Sequence, residues 1–308
     1  MIEVIQGGVL ASVQDLGRRG VAHFGVPISG ALDRQALMLG NLLLGNEPGA
    51  AAIEITLGRA SFRFLRDGWI ALTGADADAR LDNQALWCGW RVPVHAGQQL
   101  SLNSPKQGMR SYLCVAGGLD CPLWFGAMAT DLSSGMGGLA GRALQPGDRL
   151  NWLPGKEINR IAGLRQPEWN TRIRVLPGPQ FGLLANNGEA LWRQEWQLGS
   201  DSNRMGLRLQ GRALQKTAEL EMASHGVFPG VVQLPPSGQP IILLADAQTT
   251  GGYPVIATVI EADLWKLAQA RPGQKLQLQQ VDRADALSAS KHWQAYLYQV
   301  QLGLGGFT

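Results

Sequence analysis

The sequence predicts a mainly β protein of the α+β kind, with two barrel-like β domains and a few packed helices. Three observations predict it. Short runs that alternate apolar with polar residues, or gather β-branched ones, recur in both halves of the chain, as half-buried strands require. Glycine is over-supplied, with 40 residues in 308 beside 16 prolines and no G-X-Y period, which demands many turns. Only three segments have helical character, and they do not alternate with strands, so a doubly wound parallel sheet is not expected.

The strand candidates of the first half are Ile53–Leu57, Ser61–Leu65, Trp69–Gly74, Gln99–Leu102 and Arg110–Gly118. Those of the second half are Thr171–Pro179, Met205–Gly211, Gly230–Pro235, Ile241–Asp246 and Lys275–Val281. A helix is expected over Ala31–Leu44, where Leu32, Ala36, Leu39 and Leu43 share a face, Ser29 offers an N-cap, and Gly45 with Pro48 ends the run. A second is expected within Ile260–Gly273, stopped by Pro272, and a third from Asp282 to about Val300, whose acidic start suits the positive end of the helix dipole. The polar, Pro- and Gly-containing stretch 152–170 separates two strand-rich halves. The expected organisation is a domain over 1–155, a linker over 156–170, and a second domain over 171–308 that carries the C-terminal helix.

Composition excludes several classes of function. With 45% hydrophobic and 17% charged residues and a mean hydropathy of −0.05, the chain fits neither a disordered polymer nor a membrane protein. No stretch approaches the roughly 18 apolar residues of a membrane helix, and the N-terminus lacks a secretory pattern. Net charge is +3, and the 21 Arg and 6 Lys are scattered without a run of four, so no nucleic-acid footprint is present. Cys88, Cys114 and Cys121 form no C-x-x-C pair, and their odd number argues against a disulfide framework, so a reducing cytoplasm is expected. The four histidines are widely separated without metal-ligand spacing, so no metal is expected.

Four places carry candidate chemistry. The segment Gly135–Arg142, GMGGLAGR, scores as a dinucleotide fingerprint, but Pro146 and Gly147 leave no room for the helix that would hold a pyrophosphate. The loop Ala245–Pro254, ADAQTTGGYP, follows an apolar strand and offers a carboxylate, an amide, two hydroxyls and a phenol beside two glycines that let a backbone come close. A side-chain-capped turn is the plain alternative there. The loop Val13–Asp33 collects Asp15, Arg18, Arg19, His23, Ser29 and Asp33 among glycines, a composition suited to anions or to a solvated surface. Arg204 and Arg110 each stand at the start of a strand, where an anion clamp and a structural ion pair are both open readings.

At these residues the chain resembles a known family. QDLGR (14–18), GVPISGALD (25–33), EITLG (54–58), TGAD (73–76), GMRSYLCVAGGLD (108–120), GGLAGRALQPGDRL (137–150), LPGPQ (176–180), SNRMGLRLQG (202–211), GVVQLPPSGQPI (230–241) and DAQTTGGYP (246–254) are similar to the carboxyltransferase-like family, the allophanate hydrolase subunit 2 and KipA group. The wording is most similar to its bacterial 5-oxoprolinase branch. The resemblance implies two cyclophilin-like, β-barrel-type domains and a place beside subunits A and B in a complex that opens 5-oxoproline to glutamate with ATP hydrolysis. No recognisable motif lets this chain bind ATP or its Mg2+ by itself. With that chemistry in view, Arg18, Arg110 and Arg204 are expected to hold an anionic substrate or intermediate. Asp246 or Asp33 would handle protons with Tyr253 in the catalytic set, and Gln248, Thr249 and Thr250 would orient the substrate. One departure stands out: where relatives often read GSxST, this chain reads GAMAT over Gly126–Thr130, two hydroxyls fewer. Two other functions share the resemblance. A biotin-dependent carboxyltransferase half would need a carrier on another chain, since no Lys here lies between Met residues. A KipA-like regulator of a kinase inhibitor would do no chemistry.

Overall fold

A computed structural model describes residues 1–218 and 222–305. The chain divides into two compact units, one of residues 1–19, 29–168 and 296–308, the other of residues 20–28 and 169–295. The segment 156–168, expected as linker, counts with the first unit: its short strand Ala162–Gly163 pairs with Trp90–Val94. The last helix begins in the second unit's span and ends in the first's.

The first unit holds two open sheets. One orders its strands Leu119–Asp120, Arg149–Trp152, Ile2–Gly7, Ala60–Phe64, Gln99–Leu102, Ala79–Leu81 and Gln84–Leu86. The other runs Ala162–Gly163, Trp90–Val94, Gly68–Gly74, Arg110–Val115, Ala52–Thr56 and Leu10–Gln14. Period-two alternation places Ile53, Ile55, Leu113 and Val115 of the second sheet in one core with Ile2, Val4, Phe62, Phe64 and Leu100 of the first. The opposite face of the second sheet, with Ala52, Ala71, Tyr112 and Cys114, is covered by helix α1 (Arg34–Leu43) through Ala36, Leu37 and Leu43. The cap of α1 is Asp33, whose carboxylate accepts from the Ala36 N–H at 2.8 Å, and not Ser29. Ser29 is instead a buried residue with a φ of 53°.

The second unit contains a closed seven-stranded barrel ordered Arg172–Pro177, Val255–Val259, Val231–Gln233, Ile241–Leu243, Gly206–Gln210, Trp196–Leu198 and Lys275–Gln280. A parallel pairing of Arg172–Pro177 with Lys275–Gln280 shuts it. Ile173, Val175, Leu276 and Leu278 are buried while Arg172, Lys275 and Gln277 are exposed, the alternation of barrel strands. The expectation of two barrels is therefore corrected to one. Alternation fixes which face of a strand is buried, but it does not say whether the edge strands meet, and in the first unit they stay apart.

Three further α-helices lie among the described residues: α2 (Glu189–Arg193), α3 (Leu264–Gln269) and α4 (Arg283–Gly303). The expected helix within 260–273 is a 3-10 turn, Glu261–Asp263, followed by the short α3. Asp263, fully buried at that junction, takes three hydrogen bonds from Arg174, through the backbone N–H at 2.8 Å, Nε at 3.0 Å and Nη2 at 2.7 Å. Lys266 Nζ lies 3.1 Å from the same carboxylate. Among the described residues, no helix is long and apolar enough to cross a membrane.

Candidate functional site

In the second unit the loop Ala245–Pro254 is fastened at both ends by side chains from other segments. At its start Arg204 grips Asp246 in a buried fork, Nε to Oδ2 at 2.8 Å and Nη2 to Oδ1 at 3.0 Å. The Asp246 N–H donates to the Arg204 carbonyl, and the Leu244 N–H to that of Met205. At its end the Val255 N–H donates to Gln180 Oε1 at 3.0 Å, and the Gln180 N–H donates back to the Val255 carbonyl at 3.0 Å. The Leu234 N–H donates to the Pro254 carbonyl. Between these clamps Thr250–Gly251 pairs with His225–Gly226, and the Thr249 carbonyl accepts from the Val227 N–H. The segments SNRMG, LPGPQ and GVVQLP thus converge on one loop.

What the loop presents is a cleft of about 480 Å³ over the barrel strands. Gln248 and Tyr253 line it together with Gln233, Arg208, Gln239 and Met205. Tyr253 is half-exposed at the lip, and Arg208 is paired with Asp201 at 2.9 Å, both in solvent. The lining mixes amides, a phenol and a guanidinium with the apolar side chains of Met205, Ile241 and Leu243, a surface suited to a small polar molecule with a planar hydrogen-bonding edge. Thr249 and Thr250 contribute backbone to this arrangement, and their side chains do not line the cleft.

The remaining residues expected to bind substrate or move protons, Arg18, Arg110 and Asp33, fall in the first unit, where the fold engages each of them. Arg18, buried, donates from Nη2 to the Ala129 carbonyl at 2.6 Å. Its neighbours work on the same segment: Gln14 Nε2 donates to the Thr130 carbonyl, and Asp15 Oδ2 accepts from the Met128 N–H at 2.6 Å. QDLGR is therefore bolted to the backbone of residues 128–130, which explains why the GAMAT wording is tolerated: Ala127 and Ala129 are buried, and the grip uses main-chain atoms. Arg110 Nε lies 3.7 Å from Glu54 Oε1, and Glu54 Oε2 accepts from the Tyr112 hydroxyl at 2.6 Å and the Leu32 N–H at 3.0 Å. The Asp33 N–H donates to the Tyr112 hydroxyl while its carboxylate caps α1. Burial and the neighbouring Glu54 and Asp33 carboxylates push the Tyr112 phenol well above its usual range. Arg110 and Asp33 thus belong to a buried network beneath α1. His23, its ring tilted by 41° against that of Phe24 with centroids 3.9 Å apart, is exposed in the segment that counts with the second unit.

The glycine-rich segment does not fit a nucleotide. A Cβ on Gly137 would lie 2.0 Å from the Ala129 carbonyl oxygen, and one on Gly138 would lie 2.0 Å from Thr130 Oγ1. These glycines are required by close packing on the loop that QDLGR holds, which leaves no open cradle for phosphate, and no helix starts there.

Comparison with known proteins fixes the family. Residues 24–280 match the family model "Carboxyltransferase domain, subdomain A and B". The chain belongs to this family. Among carboxyltransferase-domain proteins it is 50% identical over 302 residues to the C subunit of 5-oxoprolinase from Escherichia coli (strain K12), covering 97% of both chains. It is 42% identical to the C subunit of 5-oxoprolinase from Haemophilus influenzae, covering 98% of both. Its fold matches the crystal structure of the K. lactis urea amidolyase with a TM-score of 0.89 at 27% identity, over 97% of this chain but 20% of that one.

For this carboxyltransferase-family chain, the sequence singled out the loop Ala245–Pro254 by its composition but not Gln233, which the fold packs beside it. Gln233 ends the apolar strand Val231–Gln233 and is buried against the loop. The available signal was an amide interrupting an otherwise apolar run, two residues before Pro235. Arg208, an exposed position on the strand after SNRMG, carried no comparable signal.

Proposed function

We propose that the chain is the C subunit of an ATP-dependent 5-oxoprolinase, which hydrolyses 5-oxo-L-proline to L-glutamate together with subunits A and B. The observation that carries this reading is the end-to-end match, at 50% and 42% identity, to two bacterial proteins of that name. A lactam carbonyl is a poor electrophile, so its opening needs activation coupled to ATP, and water then completes the hydrolysis. The nucleotide belongs to a partner subunit in this reading, since the glycine-rich segment of this chain is filled by its own packing. This chain's contribution is the barrel cleft: Gln248 and Tyr253 face the substrate, while Arg204 and Asp246 hold the loop that carries them. Thr249 and Thr250 shape that loop through their backbone. Arg18, Arg110 and Asp33 keep the loops of the first unit in place. The complex works in the reducing cytoplasm, where three unpaired thiols are stable.

A second reading, half of a biotin-dependent carboxyltransferase, is favoured by the structural match to urea amidolyase, of which this chain spans a fifth. The experiment that separates them is an omission series with purified subunits A, B and this chain, 5-oxoproline and ATP. Glutamate release that requires this chain supports the first reading. A requirement for a biotinylated carrier and bicarbonate, with no glutamate released, supports the second.

A further inference from the structure

Gln233 has a buried donor with nothing to donate to. The residue is 2% exposed, lines the cleft, and its Nε2 makes no hydrogen bond among the described residues. Its position is built by the fold. The pairing of Val231–Gln233 with Val255–Val259 shifts register between Val232 and Gln233, an irregularity of the kind that re-aims a side chain. On the other side the amide lies against Gly251, where a Cβ would stand 2.6 Å from Nε2 and 3.6 Å from Oε1. Only glycine leaves that space. A buried amide donor without a partner costs free energy, and such groups in native proteins call for an explanation.

We propose that Gln233 is the residue that recognises the lactam edge of the substrate, an inference that rests on the 5-oxoprolinase reading. A five-membered lactam is locked in the cis amide geometry, so its N–H and C=O point to the same side as adjacent donor and acceptor. A primary carboxamide presents the complementary pair, and two hydrogen bonds close a flat ring between them. The broad torsion at the end of a Gln side chain lets the amide turn this edge into the cleft. A trans open-chain amide cannot make both bonds, and glutamate, with the ring opened, has lost the edge altogether. The same contact therefore selects cyclic amides and releases the product. Gln248 and Tyr253 remain for the substrate carboxylate and the cleft mouth.

The test uses Gln233→Met, which keeps length and apolar volume but removes both amide atoms, and Gly251→Ala, which crowds the amide. In the complete complex, both variants are expected to raise KM for 5-oxoproline on the order of tenfold, the effect of one to two hydrogen bonds, with KM for ATP unchanged. Thermal stability of Gln233→Met should equal or exceed that of the parent chain, because an unsatisfied donor is gone. In a parallel thermal-shift measurement on this chain alone, 5-oxoproline should stabilise the parent and not Gln233→Met, and glutamate should stabilise neither. An active complex whose KM for 5-oxoproline is unmoved in Gln233→Met overturns the inference and leaves the proposed function standing. An inactive complex, with 5-oxoproline still shifting the parent chain and not the variant, overturns the proposed activity and leaves the lactam contact standing. A Gln233→Met chain that loses stability while its KM values stay unchanged shows that the amide is structural.

Discussion

Asp246→Asn separates a structural role for this carboxylate from a proton-transfer role. In the folded chain the Arg204 and Asp246 side chains are 7% and 3% exposed, joined by two hydrogen bonds at 2.8 and 3.0 Å. Removing one member of a buried pair costs about 3–5 kcal/mol, chiefly because the remaining charge is left uncompensated. Asn keeps one carbonyl acceptor for the guanidinium, which places the substitution near the lower end, about 3 kcal/mol. For a domain of this size each kcal/mol moves the midpoint by about 2–4 °C, so Tm should fall by roughly 6–12 °C. Thermal unfolding followed by tryptophan fluorescence measures this, with Trp196 in the barrel wall as one reporter. The double variant Arg204→Met/Asp246→Leu should recover much of the loss, since it removes both desolvated charges. An Asp246→Asn midpoint within about 1 °C of the parent, with kcat abolished in the complex, would refute the clamp and restore Asp246 as a proton carrier.

Asp33→Ala should lower stability by about 1 kcal/mol through loss of the α1 cap, whereas Asp33→Asn, also a good cap, should keep both stability and activity; activity lost in Asp33→Asn alone would contradict the capping role. Asp263 gives a pH-dependent prediction. Burial favours its neutral form, but the hydrogen bonds from Arg174 and the charge of Lys266 outweigh burial and hold the carboxyl below its ordinary value. A lowered folded-state pKa contributes stability above the unfolded value near pH 3.9 and loses it as pH falls through the folded value. The stability gap between the parent chain and Asp263→Asn, measured by urea unfolding, should therefore be widest at pH 7 and narrow below about pH 4. Burial pushes the Cys88 thiol up to about 12 and the Cys121 thiol up to about 11, and raises that of Cys114 further, so a thiol reagent at pH 7.5 should label none of the three rapidly in the native chain and all three after denaturation.

Strands are legible where alternation is strong. Lys275–Gln280 alternates apolar with polar residues and Arg110–Val115 is a largely apolar run, so both read directly as β, and α1 reads from its leucine stripe. The strand Val255–Val259 is hidden because it begins at the end of a turn-rich loop and runs into a helical segment, so local pattern gives it no boundary of its own. Barrel closure depends on the parallel pairing of residues about a hundred positions apart, which no window of sequence contains. At the site, the polar loop stands out by composition. The partners of its charges do not: Arg204 with Asp246 and Arg18 with the Ala129 carbonyl are contacts between distant segments, and an arginine beside a strand looks the same whether it will meet substrate or backbone. Gln233 becomes visible only when burial, the register shift and Gly251 are known together.

If this chain is an obligatory part of a 5-oxoproline-opening enzyme, a titration of the chain into its partners must show it. With subunits A and B fixed and ATP saturating, glutamate release is measured while this chain is added. The expected result is a rate near zero without the chain, rising with each addition to a plateau at a fixed subunit ratio. Subunits A and B releasing glutamate at the full rate in its absence would contradict an obligatory role.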